Sequence, residues 1–228
     1  MKWNRQFNYP KSTKFFVGGS RHYDINTEKL PSVTAILSAT ASQEKKDALK
    51  AWKERVGYQE AEKIKIEAAS RGTSMHSFIE QYLLGQQNMQ LIEENNQAKI
   101  MAQKIIDDGL NDKLTEIWGA EVTVYYPKLY AGTADCIGIY QEQETIIDFK
   151  QSNKVKREEY IEDFFLQLGA YSLAHNKVYQ SKIIQGVILL CTIDNLFQVF
   201  KIKGNQLIDY QKKFLEKVEE YNKKKSSI

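Results

Sequence analysis

GTADCIGIYQEQETIIDFK, residues 132–150, contains two apolar runs that are interrupted by acids and a lysine where a buried strand normally has neither. Thr145 to Lys150 is β-branched and aromatic, the composition of a strand in the interior of a sheet. Side chains alternate between the two faces of a strand, so Asp148 and Lys150 share one face while Ile147 and Phe149 take the other. Tyr130 to Tyr140 reads as a second strand, with Gly132 easing a bend or a close backbone approach. A hairpin around Gln141 to Glu144 brings Asp135 beside Asp148. Burying a lone charge is costly, so charges in strands this apolar are paired, metal-bound or set at a strand end beside a cleft. Two readings follow from these residues. One is a plain cross-strand salt bridge; the other is a site in which Asp135, Asp148 and Lys150 hold a hard divalent cation and activate water.

Three features outside this stretch bear on the choice. His76 lies in a segment whose helix carries Phe78, Ile79, Tyr82 and Leu83 on its apolar side, where a histidine is commonly just a satisfied core residue. Gln167 and Tyr171 are spaced i, i+4 on the helix after the Lys150 strand and therefore share a face. Ser32 and Thr34 fall just before a helical stretch, in the position of an N-cap.

In this order and spacing, Pro31-Ser32-Val33-Thr34, Arg71-Gly72-Thr73 with His76, Gly132-Thr133-Ala134-Asp135, Asp148-Phe149-Lys150 and Gln167 with Tyr171 resemble the PD-(D/E)xK nuclease superfamily. Within it the likeness is to the RecB-like branch, with its phage-type and mitochondrial genome maintenance exonucleases. The resemblance implies an α/β fold of mixed α+β kind: a restriction-endonuclease-like core in which helices flank a mixed central sheet, with a helical layer before it. It also implies a metal-dependent DNA exonuclease with a preference for single strands or free ends, acting in phage-type or organellar DNA processing, replication or recombination. Asp135, Asp148, Lys150, Gln167 and Tyr171 are then the catalytic residues, and His76, Asp135, Asp148 and the Phe149 carbonyl the metal ligands. Mg²⁺ suits the oxygen donors, and the imidazole makes Mn²⁺ a good alternative. Lys150 orients the attacking water and offsets charge developing on the phosphorane, which the planar fork of an arginine would do poorly. Ser32, Thr34, Arg71 and Lys154 are candidate phosphate contacts. Glu121, taken as opening its strand, falls to a supporting position behind the ligands. Two cysteines, Cys136 and Cys191, cannot supply the four thiolates of the iron–sulfur cluster found in some relatives, so no cluster is expected.

Length and composition are those of a folded, mixed α/β chain. At 228 residues it can form one well-cored domain, and 13 tyrosines and 10 phenylalanines against three prolines exclude a disordered protein. No apolar run approaches about 20 residues and the N-terminus lacks an apolar signal region, so neither membrane association nor secretion is expected. Two unpaired cysteines fit a reducing compartment, hence a cytoplasmic protein, in a host's cytoplasm if phage-encoded. The net charge of +3 is small, but Lys150, Lys154, Lys156 and Arg157 cluster beside the proposed chemistry. The expected partners are DNA and replication or recombination proteins, with no small-molecule cofactor.

Along the chain we expect a hairpin over 12–26, then helical segments over 42–69, 73–85 and 95–107. Leu49, Trp52 and Val56 give the first of these an apolar stripe. Strands follow over 120–127, 130–140 and 144–151, then a helix over 157–176, strands over 183–193 and 196–203, and a closing helix over 205–224. This is one nuclease domain, 1–228, with an N-terminal hairpin and helical part over about 1–115 and a catalytic core over about 116–228. Trp52, Tyr58 and Tyr82 are aromatics available for stacking on unpaired bases, though core packing is their commoner use. Competing readings are a structure-specific endonuclease with the same site, a nuclease-like module that binds nucleic acid without cutting it, and a salt-bridge network in an unrelated fold.

Overall fold

The computed structural model of the chain describes residues 1–86 and 96–226. In chain order it contains β1 (Lys2–Trp3), β2 (Thr13–Val17), β3 (Ser20–Ile25), β4 (Glu28–Pro31), α1 (Val33–Ala39), α2 (Gln43–Val56), α3 (Tyr58–Leu83) and α4 (Gln97–Ile105), the last running into a π-helical turn, Ile106–Leu110. There follow β5 (Leu114–Tyr126), β6 (Tyr130–Tyr140), β7 (Gln143–Ser152), a short 3₁₀ turn, α5 (Glu162–Tyr179), β8 (Gln185–Thr192), β9 (Phe197–Lys203) and α6 (Asn205–Ser226).

Six strands form a mixed sheet in the order β1-β5-β6-β7-β8-β9. β5, β6 and β7 are joined by hairpins and run antiparallel, whereas β7 and β8 are parallel. Parallel neighbours need a crossover, and α5 supplies it. Both faces are covered. Ile146 and Ile188 pack with α5, α6 and α1 on one side, while Ile147, Phe149, Val187 and Leu189 pack with α3 and α4 on the other. Burial on both faces explains why β7 and β8 read as continuous apolar runs rather than as alternating ones. The mixed sheet flanked by helices is the fold class expected from the sequence.

A second sheet, β2-β3-β4, leans on β6. Tyr23, Ile25 and Leu30 bury themselves against Ala131, the Tyr23 hydroxyl meets Thr133 Oγ1 at 3.0 Å, and Ser32 bridges to Ala131. The expected hairpin is thus present with a third strand added.

Several boundaries differ from the sequence reading. α3 begins at Tyr58, not near Thr73, and continues unbroken to Leu83, so the gap expected between 69 and 73 lies inside it. The break falls at Gly57, whose φ of 90° only glycine adopts without strain. α2 keeps its helical pattern but buries no residue, and Leu49 is 53% exposed, so its apolar stripe does not face the core. The helix expected over 95–107 runs from Gln97; position 95 lies outside the described residues. β5 starts at Leu114, six residues ahead of expectation, and β1 was not foreseen at all.

On α5, His175 is enclosed by the rings of Phe7, Tyr9, Trp118 and Tyr179. Tyr9 Oη lies 3.0 Å from its Nε2 and Ser181 Oγ 2.6 Å from its Nδ1. Among the described residues no acid pairs with the ring, and burial pushes its pKa down from 6.5 to about 4. The unfolded chain therefore takes up a proton below about pH 6.5 that the folded chain refuses until about pH 4, so this contribution is complete above 6.5 and is lost as pH falls through the window. The expected loss is up to about 3 kcal/mol. Chemical denaturation between pH 7 and 4 checks it: His175→Gln should flatten the pH dependence in that window, and a slope unchanged from the parent would refute the assignment.

Candidate metal and phosphodiester site

The site sits where β6 and β7 part. Their pairing runs from Tyr140–Gln143 to Cys136–Ile147 and stops there. Beyond that point β6 stays with β5 while β7 continues along β8 to Ser152. Asp135 and Asp148, the next pair in register, stand at the mouth of this fork. Splaying leaves the Phe149 amide without a strand partner, and a buried N–H must find an acceptor. Asp135 Oδ2 accepts from it at 2.7 Å. One oxygen of Asp135 thus repairs the backbone while the other faces the cavity.

Asp148 and Lys150 share a face, as alternation requires, and Lys150 Nζ meets Asp148 Oδ2 at 2.5 Å. The ammonium also lies 5.2 Å from the centre of the Phe164 ring. Apart from the ion pair, both oxygens of Asp148 are buried without a hydrogen-bond partner. The salt bridge is therefore real, but it leaves lone pairs on Asp148 that no other described residue uses. Burial alone would lower the Lys150 pKa, but Asp148 and Asp135 outweigh it and raise it, so the group is an ammonium at neutral pH. It is a fixed positive charge and a hydrogen-bond donor.

His76 reaches the fork from α3. Its Nε2 lies 2.9 Å from the Phe149 carbonyl oxygen, which can only accept, so Nε2 carries the proton. That bond aims Nδ1 at Glu121 Oε1, 3.4 Å away, and Asp135 Oδ1, 3.5 Å away. Burial would lower the His76 pKa, yet Asp135 and the contact with Glu121 outweigh it and raise the value to about 9. Asp135 is pushed up by burial to about 7, a rise that His76 opposes. The Phe149 carbonyl, expected as a metal ligand, orients His76 here; coordination by it would use its second lone pair.

Glu121 is the residue that the sequence reading undervalued. It lies in the middle of β5, opposite Asp135 in the register set by Ala120–Cys136 and Val122–Ala134, and does not open the strand. Its φ is 50°, a left-handed conformation that a glutamate adopts at a cost. The twist interrupts its own pairing and brings its carboxylate to the site. His76, Glu121 and Asp135 each offer an atom within 4.8 Å of the others. One imidazole and two carboxylates, with the unsatisfied Asp148 alongside, fit a divalent cation of the Mg²⁺ or Mn²⁺ kind.

Gln167 and Tyr171 close the cavity from α5, with Gln167 Nε2 donating to Tyr171 Oη at 3.0 Å. The Tyr171 ring lies flush on Gly132: a Cβ there would come within 2.4 Å of it. The glycine of Gly132-Thr133-Ala134-Asp135 thus makes room for the tyrosine 39 positions later. Burial raises the Tyr171 pKa well above its ordinary value, so its hydroxyl stays protonated.

The phosphate-contact candidates separate. Thr34 lines the cavity of about 670 Å³ in front of the acids, together with His76, Asp135, Lys150, Gln167 and Tyr171. Ser32 is buried and caps α1, accepting from the Ala35 amide at 3.0 Å, with Thr34 Oγ1 at 3.1 Å. Arg71 is occupied: it donates to Gln151 Oε1 and Asn153 Oδ1, bracing α3 against the end of β7. Lys154 is exposed on the loop after β7 and does not line the cavity. Nor do the proposed stacking aromatics. Tyr82 bonds Asn111 Oδ1 against the core, and Tyr58, 62% exposed, stands at the start of α3.

The forked mixed sheet brings together Asp135, Asp148-Phe149-Lys150 and His76, the residues on which the sequence resemblance rests. No model of a known protein family matches the chain. The particular likeness is to mitochondrial genome maintenance exonuclease 1. The chain is 29% identical to the Xenopus tropicalis protein over 210 residues, 86% of this chain and 58% of that protein. With the Mus musculus protein it is 29% identical over 218 residues, 90% of this chain and 62% of the other, and with the Homo sapiens protein 27% over 212, 87% and 60%. The chain thus spans about 60% of the length of these relatives, with which the resemblance seen in the motifs holds along most of its own length. A solved structure from Eubacterium rectale, provisionally described as an exonuclease, superposes with a TM-score of 0.43 at 10% identity over 66% of this chain and 67% of that one; nothing is drawn from so distant a likeness.

Proposed function

We propose that the chain is a single nuclease domain, 1–228, that hydrolyses DNA phosphodiester bonds from an end, preferring single strands, with Mg²⁺ or Mn²⁺ as its metal. The observation that carries this reading is the convergence of His76, Glu121 and Asp135 within 4.8 Å beside Asp148, whose buried oxygens have no partner among the described residues other than the Lys150 ammonium. The name of the vertebrate relatives supports the choice of exonuclease. DNA processing in replication or recombination is the setting proposed.

His76, Glu121, Asp135 and Asp148 would hold the cation. When bound, it supplies Lewis acidity toward a phosphoryl oxygen and lowers the pKa of a coordinated water. The protein's own residues do the rest. Lys150, held by Asp148 and backed by the Phe164 ring, presents a positive charge to the oxyanion that develops as the phosphorus is attacked. Gln167 and the protonated Tyr171 hydroxyl, bonded to each other, offer donors that fix the scissile phosphate.

Among the described residues no helix is long and apolar enough to cross a membrane. We retain the cytoplasm as the proposed compartment on the strength of two unpaired cysteines, both buried, although the relatives' name refers to mitochondria.

Incubation with end-labelled single-stranded linear DNA, duplex DNA and closed single-stranded circles, each with Mg²⁺, Mn²⁺ or EDTA, tests the reading. The expected result is cation-dependent shortening of linear strands with intact circles. Cut circles would replace exonuclease by endonuclease, and intact DNA under both cations would refute the enzyme.

A further inference from the structure

The N-terminal sheet brings to the cavity cations that pair with no carboxylate among the described residues. β2 and β3 pair Lys14 with Tyr23 and Phe16 with Arg21. Residues directly opposite on antiparallel strands project from the same face, so these four side chains stand together. Lys14, Arg21 and Tyr23 line the cavity that holds Asp135 and Lys150. Arg21 also lines an adjoining cleft of about 260 Å³ with Phe16, Ser32 and Thr34. Its guanidinium therefore stands where the two spaces meet.

The guanidinium is only partly used. Its Nη2 donates to Thr34 Oγ1 at 2.9 Å, but its Nε is buried and has no hydrogen-bond partner. Among the described residues no carboxylate forms an ion pair with it. A buried donor left unsatisfied is destabilising, and an acceptor that arrives with a ligand removes that cost. The planar fork of an arginine matches the oxygens of a phosphate. Beside it Phe16 is 71% exposed, an aromatic face next to a cation on the same side of the sheet.

We propose that Arg21 is a phosphodiester-positioning residue. Its guanidinium grips a phosphate of a single nucleic-acid strand at least one linkage away from the bond that is cut, Thr34 shares that phosphate through its hydroxyl, and Phe16 stacks on the neighbouring base. The inference rests on the nuclease reading above and adds to it the path that the strand takes, from the fork to the cleft between β3 and α1. Lys14 contributes charge along that path.

Binding is measured without cutting, by fluorescence anisotropy of a labelled thymidine oligonucleotide on the intact chain in EDTA. Arg21→Gln is expected to raise the dissociation constant about tenfold and to reduce the slope of log K against log salt by about one contact. Phe16→Ala should weaken binding by about tenfold through lost stacking. Neutral methylphosphonates placed at one linkage at a time should reveal a linkage, other than the scissile one, whose neutralisation weakens the parent about tenfold and Arg21→Gln less than twofold. A residue acting only through folding would not produce that linkage-specific insensitivity. Should circular dichroism show Arg21→Gln to be unfolded, Arg21→Lys, which keeps the charge and loses the fork, carries the same linkage test. Equal affinity and salt slope, or the same methylphosphonate profile in variant and parent, would overturn the proposal. Cutting is scored separately with Mg²⁺ or Mn²⁺. A parent that binds through Arg21 yet never cuts refutes the nuclease and upholds this site, whereas a parent that cuts with Arg21 irrelevant does the reverse.

Discussion

Replacing Lys150 by alanine is expected to slow phosphodiester cleavage by about a thousandfold and to remove about 3 kcal/mol of stability in the same substitution. The two losses have one origin. Lys150 lies 2.5 Å from Asp148 Oδ2, its side chain is only 20% exposed, and Asp148 has no hydrogen-bond donor of its own. Truncating the lysine strands a buried carboxylate, and breaking such a pair costs more than the pair's net worth, because the remaining charge has lost both water and partner. The partial exposure of Lys150 places the loss at the lower end of the usual range. Arginine separates charge from chemistry: Lys150→Arg should recover most of the stability, yet remain at least about a hundredfold slow, since a planar fork cannot place a compact charge at the same point. Divalent cation should raise the melting midpoint of Lys150→Ala more than that of the parent, because a cation can then take the place of the missing partner of Asp148. Chemical denaturation and single-turnover cleavage on the same preparations check all three. A Lys150→Ala protein of parental stability would mean that the ion pair is not buried as described, and parental activity would remove Lys150 from the chemistry.

What could be read ahead of the structure was whatever has a short period. Asp148 and Lys150 declared themselves because strand side chains alternate, and Gln167 and Tyr171 because helix positions four apart share a face; each pair is where that periodicity puts it. Strand β6 was delimited to the residue, since Gly132 and the turn after Tyr140 bracket an apolar run. The misses came from contacts distant in sequence. Nothing local marks Lys2–Trp3 as a strand, because two residues carry no pattern and pairing with Glu116 and Ile117 defines them. Two helices were expected with a gap between 69 and 73, yet α3 passes through it, with Gly72 lying over the Gln151 side chain at the end of β7. The stripe of Leu49, Trp52 and Val56 promised a buried face and α2 buries none, since periodicity tells which residues share a face and not what covers it. Arg21 was passed over and Glu121 undervalued for the same reason: one needs Thr34, thirteen positions on, and the other an unusual φ in the middle of a strand. A glutamate placed at a strand end looks solvated; six more residues of β5 make it central.

That φ underlies the second large expectation, which concerns Glu121. Glu121→Gln should weaken Mn²⁺ binding by about ten- to a hundredfold, a loss of the size seen when an oxygen close to a metal site is altered. It should depress cleavage at limiting cation far more than at saturating cation. The amide keeps the shape of the side chain and removes its charge, leaving His76 and Asp135 as the remaining members of the cluster. A backbone at φ 50° costs a residue with a Cβ about 1 kcal/mol or more, and glycine almost nothing. Glu121→Gly should therefore bind Mn²⁺ as poorly as Glu121→Gln while being about 1 kcal/mol more stable than Glu121→Ala, the strain having been released along with the function. Strain kept at a position where glycine would fold better makes sense only if the carboxylate is needed there. Titration calorimetry with Mn²⁺ and thermal unfolding of the three variants decide the matter. Unchanged affinity in Glu121→Gln would remove the residue from the cation's coordination, and equal stability of the glycine and alanine variants would show that the left-handed turn of β5 carries no stored cost.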